Sequence, residues 1–171
     1  KIASDITRNQ MSYRQLFTRA FVLSDKLEEQ LSDQKYVGML LPNSLGALVT
    51  FFTLQMLGKV PAMLNYSAGE TNILHACNLT TVKTVLTSRV FIEKGNLGNI
   101  ATSLESKYKV VYLEDIKPTV SIFDKIRAAT CALFARENLI ATIKRTDADS
   151  PAVVLFTSGS EGVPKGVVLS H

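Results

Sequence analysis

The spacing of apolar residues alternates along the chain between helical and strand-like periods. Residues 12–31 repeat apolar positions on one helical face, and Ser12 and Gln15 have the spacing of a capping box at its start. Helical spacing returns over residues 44–57, and Gly58 follows where a left-handed residue commonly ends a helix. Short apolar runs bounded by turn residues predict strands at 36–41, 60–64, 82–87, 109–113, 152–157 and 167–169.

Two more helices are predicted between these strands. One follows a second possible capping box, Ser67 and Glu70, and continues to about residue 79. The other is short and covers residues 99–107. Because helices alternate with strands, the sequence predicts an α/β fold with a mostly parallel sheet and flanking helices.

Residues 118–145 depart from this alternation. Their apolar residues approximate a helical stripe formed by Ile122, Ile126, Ala129, Leu133 and Phe134. Positive charge is supplied by Lys125, Arg127 and Arg136. A helix over 121–138 that rests on an anionic membrane is one interpretation. A surface helix packed on its own domain is the other, and the modest charge density favours it.

Composition narrows the class of protein. Of the 171 residues, 46% are hydrophobic and 20% are charged, which is typical of a globular chain. The net charge of +4 is spread without a run of five basic residues, so a nucleic-acid partner is not expected. No apolar run reaches the about 20 residues of a membrane span, and no secretory signal opens the sequence, so we expect a soluble chain exposed to the cytosol. Cys77 and Cys131 are expected to be reduced thiols, and no metal-binding spacing occurs.

The segment with recognisable chemistry is residues 157–166, Thr-Ser-Gly-Ser-Glu-Gly-Val-Pro-Lys-Gly. Glycine permits close approach of a phosphate, and successive backbone N–H groups can form an anion-binding concavity. Hydroxyl donors and one lysine complete a set suited to a polyphosphate. The candidate nucleotide-binding residues are Thr157, Ser158, Gly159, Ser160, Gly162 and Lys165.

The lysine spacing separates this loop from other nucleotide motifs. A common P-loop places lysine directly after its second glycine, whereas Val163 and Pro164 separate Gly162 from Lys165. The loop also lacks the dinucleotide pattern G-x-G-x-x-G. A polar turn joining a hairpin is the alternative without a ligand.

The loop resembles the phosphate-binding motif of the adenylate-forming superfamily, which includes acyl-CoA synthetases, luciferases and peptide-synthetase adenylation domains. Glu161 stands where the usual motif has threonine. With glutamate at this position, the loop resembles that of one subfamily. In that subfamily an acyl-[acyl-carrier-protein] synthetase is joined to a 2-acylglycerophosphoethanolamine acyltransferase. Other stretches also resemble that subfamily, among them residues 41–44, 58–65, 82–93 and 112–115.

The resemblance implies that ATP with Mg²⁺ activates a carboxylate as an acyl-adenylate. In the subfamily it implies a fatty acid, an acyl carrier protein thiol and a lysophospholipid acceptor, at the cytoplasmic side of the bacterial inner membrane. We expect Glu161 to point away from phosphate or to order the loop.

The resemblance also implies that residues 1–171 are the N-terminal part of the synthetase domain, ending just after the loop at 157–166. The family's other catalytic motifs follow that loop, so no complete catalytic set is expected within the chain, and no activity of the chain alone. An acyl-CoA or aryl-CoA synthetase is an alternative, as is a stand-alone phosphate-binding or membrane-tethering module. His75 is expected to be structural, Asn43 to cap a helix rather than bind a ligand, and His171 has no assigned role.

Overall fold

The computed structural model describes residues 3–4, 10–134, 137, 147–158 and 164–171. Its strands are β1 (Ala3–Ser4), β2 (Gln10–Met11), β3 (Tyr36–Met39), β4 (Val60–Met63), β5 (Thr84–Thr87), β6 (Lys109–Tyr112), β7 (Pro151–Ser158) and β8 (Pro164–Ser170). Among these described residues the main sheet has the order β6-β5-β3-β4-β7-β8. Its first five strands are parallel, and β8 pairs antiparallel with β7 at the edge. The predicted α/β fold with a mostly parallel sheet is confirmed.

Helices flank the sheet. They are α1 (Tyr13–Leu27), α2 (Leu45–Met56), α3 (Glu70–Leu79), α4 (Arg89–Lys94), α5 (Gly98–Glu105), α6 (Leu113–Ile116) and α7 (Ile122–Leu133). Short 3₁₀ turns occur at Glu29–Leu31, Tyr66–Ala68 and Lys117–Thr119. No helix in these ranges is long and apolar enough to cross a membrane.

Two apolar clusters cover the two faces of the sheet, because successive strand residues point to opposite sides. In β3, Val37 and Met39 pack in the cluster that includes residues of α1 and α2. Leu40, just beyond the strand, packs in the cluster that includes residues of α3 and α5. The parallel strands are therefore buried on both faces, as such sheets generally are.

The helix-end predictions at α1 and α2 are confirmed. The Ser12 side chain accepts from the Gln15 backbone N–H while the Gln15 side chain accepts from the Ser12 N–H, at 3.3 and 2.9 Å. Gly58 adopts φ +64° just after α2. Residues 28–31 lie beyond the regular helix, since α1 ends at Leu27 and a 3₁₀ turn follows.

The predicted capping box at Ser67 and Glu70 is wrong. Ser67 instead donates to the Asn65 side chain, and Glu70 accepts from the Ser103 hydroxyl at 2.6 Å. The N-cap residue of α3 is Gly69, at φ +84°, and it provides no side-chain hydrogen bond to the helix start. A 3₁₀ turn therefore occupies the position that the spacing assigned to a helix start.

The expected capping role of Asn43 is also wrong. Ser44 caps α2, since the Ala47 N–H donates to its hydroxyl at 3.2 Å, and Asn43 is exposed. The sequence prediction also missed α4, whose start is capped by Ser88. Asn43 and Ser44 are adjacent polar residues that could each cap α2, and backbone direction decides which of them faces the free N–H groups.

Helix α7 packs on its own domain, which is the interpretation that the modest charge density favoured. The face that packs is not the predicted apolar stripe. Ala128 is buried against α1 at 1% exposure, and Asp124 pairs with Lys26 at 2.8 Å. A second ion pair joins Arg127 to Asp25. A small alanine allows the two helices to approach, so the larger apolar side chains are turned outward. The part of the predicted 121–138 helix that follows α7 falls mainly on residues outside the described ranges.

Candidate phosphate-binding site

The candidate site begins with the β7–β8 hairpin. Thr157 lies directly opposite Lys165, and Ser158 lies opposite Pro164. Because directly opposed residues share a face of an antiparallel pair, the Thr157 hydroxyl and the Lys165 ammonium stem emerge on the same side. Both side chains are exposed. The structure thus brings together two of the predicted phosphate-binding residues.

The loop that joins the two strands lies outside the described residues. It contains three of the predicted binding residues, Gly159, Ser160 and Gly162, together with Glu161. Their roles, and the expectation that Glu161 points away from phosphate, therefore stay predictions. The antiparallel pairing of β7 with β8 means that this loop joins the two strands of a hairpin, and a hairpin loop is compatible with binding phosphate through its backbone N–H groups.

The hairpin stands at the carboxyl edge of the parallel sheet. β7 runs parallel to β4, with Ala62 opposite Val154 and Met63 opposite Leu155. Ligands of open α/β sheets commonly bind outside the carboxyl ends of the strands. A cleft of about 520 Å³ lies there, lined by Asn65, Ser67, Ala68, Asn72, Ile73, Ala76, Phe156, Thr157 and Pro164.

A compact turn after β4 builds one wall of the cleft. The Asn65 side chain accepts hydrogen bonds from the Ser67 N–H at 3.0 Å and from the Ser67 hydroxyl at 2.8 Å. Asn72 donates to the Ala68 carbonyl at 2.8 Å. Gly69 supplies the positive φ that turns the chain into α3. The wall is held by its own polar groups, and Asn65 and Ser67 are exposed.

The floor of the cleft is apolar and chemically inert. Ile73, Ala76 and Phe156 pack with the cluster between α3 and the sheet. Cys77 lies in the same cluster, fully buried, and burial raises the pKa of its thiol to about 12. A thiol with that pKa is protonated at neutral pH and is therefore not a nucleophile.

The donor set of this region fits an anion. The described lining residues of the cleft offer hydroxyl and amide groups and include no carboxylate, and Lys165 lies across the β7–β8 pair from Thr157, one of these lining residues. Within the part of the chain that is described, no group of three His, Cys, Asp or Glu residues could hold a metal ion.

Sequence reasoning missed the β4 side of this site. Asn65, Ser67 and Asn72 belong to a segment whose composition signals a turn, but nothing local indicates that it adjoins β7, almost ninety positions later. Three other polar residues considered from the sequence do not line the cleft. Of these, His75 is half-buried on α3, while Asn43 and His171 are exposed.

Comparison with known proteins gives consistent results for the family and the fold. The family model described as AMP-binding enzyme matches residues 1–171. The nonribosomal peptide synthetase kk1B of Curvularia clavata is 29% identical over 99% of the chain and 1% of its own length. Long chain acyl-CoA synthetase 8 of Arabidopsis thaliana is 27% identical over 61% of the chain and 15% of its own length.

Solved structures share the fold. The o-succinylbenzoate coenzyme A synthetase (MenE) of Bacillus subtilis, in complex with ATP and magnesium ion, matches 95% of the chain with a TM-score of 0.67 and 16% identity. The chain spans 37% of that structure. The same synthetase in complex with its acyl-adenylate intermediate matches with a TM-score of 0.68. From the family match over its whole length, the chain belongs to the AMP-binding enzymes, the adenylate-forming ligases that resemble acyl-CoA synthetases.

Proposed function

We propose that this chain supplies the phosphate-binding part of an enzyme that activates a carboxylate with ATP. The observation that carries the proposal is the opposition of Thr157 and Lys165 across a hairpin with a glycine- and serine-rich connection. In the proposed reaction a carboxylate oxygen bonds to the α-phosphorus, and the bond from that phosphorus to the bridging oxygen of pyrophosphate breaks. The products are an acyl-adenylate and pyrophosphate.

The residues of the site have distinct proposed roles in that step. Lys165 and the Thr157 hydroxyl would hold the β- and γ-phosphates, assisted by Ser158 and by Gly159, Ser160 and Gly162 of the loop. Negative charge builds on the leaving pyrophosphate, and donors already aimed at it lower the barrier. Mg²⁺ bound to the phosphates would neutralise further charge. The Bacillus subtilis relative solved with ATP and magnesium supports this choice of cofactor.

For the substrate, we propose a fatty acid, with the acyl carrier protein thiol as first acceptor and a lysophospholipid as final acceptor. Glu161 within the loop supports this assignment through the subfamily that it resembles. The whole protein would then act at the cytoplasmic side of a bacterial inner membrane, with a separate acyltransferase domain. An acyl-CoA or aryl-CoA synthetase is a second candidate that fits equally well. The Arabidopsis and Bacillus relatives support it.

The proposed role of Lys165 is tested by a substitution in the full-length protein. Lys165→Ala should slow single-turnover formation of acyl-adenylate by about 10²–10³-fold, the typical effect of removing a donor to developing charge. Stability should change by less than about 0.5 kcal/mol, because the side chain is exposed. Lys109→Ala is the matched control, since Lys109 is an exposed strand lysine on the opposite edge of the sheet. Equal rates in the two variants would reject the phosphate role.

A separate assay distinguishes the acceptors. The full-length protein, supplied with ATP, Mg²⁺ and a long-chain fatty acid, is offered either coenzyme A or acyl carrier protein bearing its phosphopantetheine thiol. The proposal predicts an acyl-protein product and little acyl-CoA. Efficient acyl-CoA formation would instead support the synthetase alternative while leaving the adenylation step intact.

A further inference from the structure

The amide group of Asn65 has a defined orientation on the wall of the cleft. Its Oδ1 atom accepts two hydrogen bonds from Ser67, one from the backbone N–H at 3.0 Å and one from the hydroxyl at 2.8 Å. A backbone N–H can only donate, so the amide atom that faces it is the oxygen and not the nitrogen. The Nδ2 group of Asn65 therefore faces away from these two donors.

This NH₂ group is a donor that no residue in the described part of the chain accepts from. Asn65 is exposed and lines the cleft together with Thr157, which is also exposed. Lys165 lies across the β7–β8 pair from Thr157. Donors from the turn after β4, from β7 and from β8 are therefore grouped at the carboxyl edge of the sheet.

The turn that carries Asn65 is held by contacts with two neighbouring helices. The Tyr66 ring packs edge-to-face on Phe91 of α4, with ring centroids 5.2 Å apart and an interplanar angle of 84°. Glu70, the first residue of α3, accepts a hydrogen bond from the Ser103 hydroxyl of α5 at 2.6 Å. Donors that are fixed before the reaction stabilise developing charge without reorganising. The Asn65 amide meets this condition, because its own turn and the two helices fix its position.

We propose that the Asn65 Nδ2 group donates a hydrogen bond to an oxygen of the β- or γ-phosphate of ATP, the part that leaves as pyrophosphate. The inference rests on the proposed function, in which Thr157 and Lys165 hold these phosphates. Asn65 and Thr157 line the same cleft, whose described lining residues include no carboxylate, so a phosphate oxygen there meets donors and no repelling charge. The hydrogen bond strengthens as negative charge builds on the departing group.

The test compares two asparagine-to-aspartate substitutions in the full-length protein. Asn65→Asp keeps an oxygen that accepts from both donors of Ser67, but it replaces the NH₂ donor with a carboxylate oxygen. The dissociation constants of ATP with Mg²⁺ and of inorganic pyrophosphate, measured by calorimetry, should each rise about 10–100-fold. The dissociation constant of AMP, which lacks the β- and γ-phosphates, should stay the same. Asn43→Asp makes the same charge change at an exposed residue outside the described cleft lining, so this matched control should leave all three constants unchanged.

Equal affinities of Asn65→Asp and Asn43→Asp for ATP would overturn the proposal. An equal loss of affinity for ATP and AMP would also overturn it, because the amide would then contact the part that the two nucleotides share. Asn65→Ala removes the donor without adding charge and should weaken ATP binding about tenfold, so it decides the matter if urea unfolding shows that Asn65→Asp does not fold. Lys165→Ala separates the two proposals. Weaker ATP binding in that variant alone rejects the role of Asn65 and leaves the proposed function, whereas unchanged binding in both variants rejects the proposed function as well.

Discussion

Gly38, in the central strand β3, lies where neighbouring side chains leave no room for a methyl group. A Cβ added there would be 3.0 Å from Val85 Cγ2, 3.2 Å from Leu64 Cδ1 and 3.3 Å from Val82 Cγ1. Ordinary carbon contacts begin at about 3.5 Å, so all three methyl groups must retreat by a few tenths of an ångström. Each belongs to the close-packed cluster between the sheet and α3, where overpacking typically costs about 1–3 kcal/mol.

The substitution Gly38→Ala therefore has an expected sign and size. Alanine restricts the unfolded chain, which returns about 0.4–1 kcal/mol of stability. The net result should be a destabilisation of about 1 kcal/mol. Gly46→Ala is the matched control, because Gly46 is exposed in α2 and its added Cβ would meet only the Ser44 hydroxyl, at 3.6 Å. That variant should be stabilised by about 0.5 kcal/mol.

Urea unfolding followed by circular dichroism measures both variants. The midpoint should fall for Gly38→Ala and rise for Gly46→Ala, with unchanged slopes. A Gly38→Ala protein as stable as Gly46→Ala would refute the close packing inferred around β3. A changed slope for Gly38→Ala alone would point to a loosened native state rather than local strain.

Two further predictions concern polar links in the fold. Gln34 is buried and hydrogen-bonds both the hydroxyl and the N–H of Thr84, at 2.8 and 3.0 Å, so Gln34→Ala should cost about 2 kcal/mol in urea unfolding, and an unchanged midpoint would contradict the bonding. The contact with Lys26 and, after it, hydrogen bonding with Ser121 lower the pKa of the Asp124 carboxyl from 3.8 to about 2. The stabilisation from these contacts is therefore complete above about pH 4 and is lost as the pH falls towards 2. The stability difference between wild type and Asp124→Asn should therefore shrink over that range in acid titrations, and a constant difference would contradict the linkage.

Local sequence patterns predicted much of the fold because helix ends depend on interactions between residues that are close in the sequence. Ser12 and Gln15 satisfy free N–H groups within one helical turn, and Gly58 supplies a positive φ next to the helix it ends. Both effects act over three or four residues, so spacing alone reveals them. The wrong capping-box prediction at Ser67 also concerns interactions between residues close in the sequence. An Asx turn at Asn65 competes for the same hydroxyl, and sequence spacing does not rank the two.

The candidate site was likewise predicted only in part. The glycine, hydroxyl and lysine content of residues 157–166 indicated phosphate chemistry without any structure, because those groups bind anions wherever they are placed together. The cleft beside it could not be predicted. It exists because β7 pairs beside β4, which places Phe156 and Asn65 along the same cleft. Strand order depends on the packing of whole layers, which no local spacing encodes.

Helix α7 shows which features of this protein the sequence determines and which the tertiary structure determines. The sequence by itself determined that an amphipathic helix follows Pro118, with Ile122, Ile126 and Leu133 on one side. Only the tertiary structure decided which side is buried. Asp124 and Arg127 form ion pairs with residues of α1, which lie far away in the sequence. Periodicity identifies the faces of a helix, whereas the partner that covers each face is a property of the assembled domain.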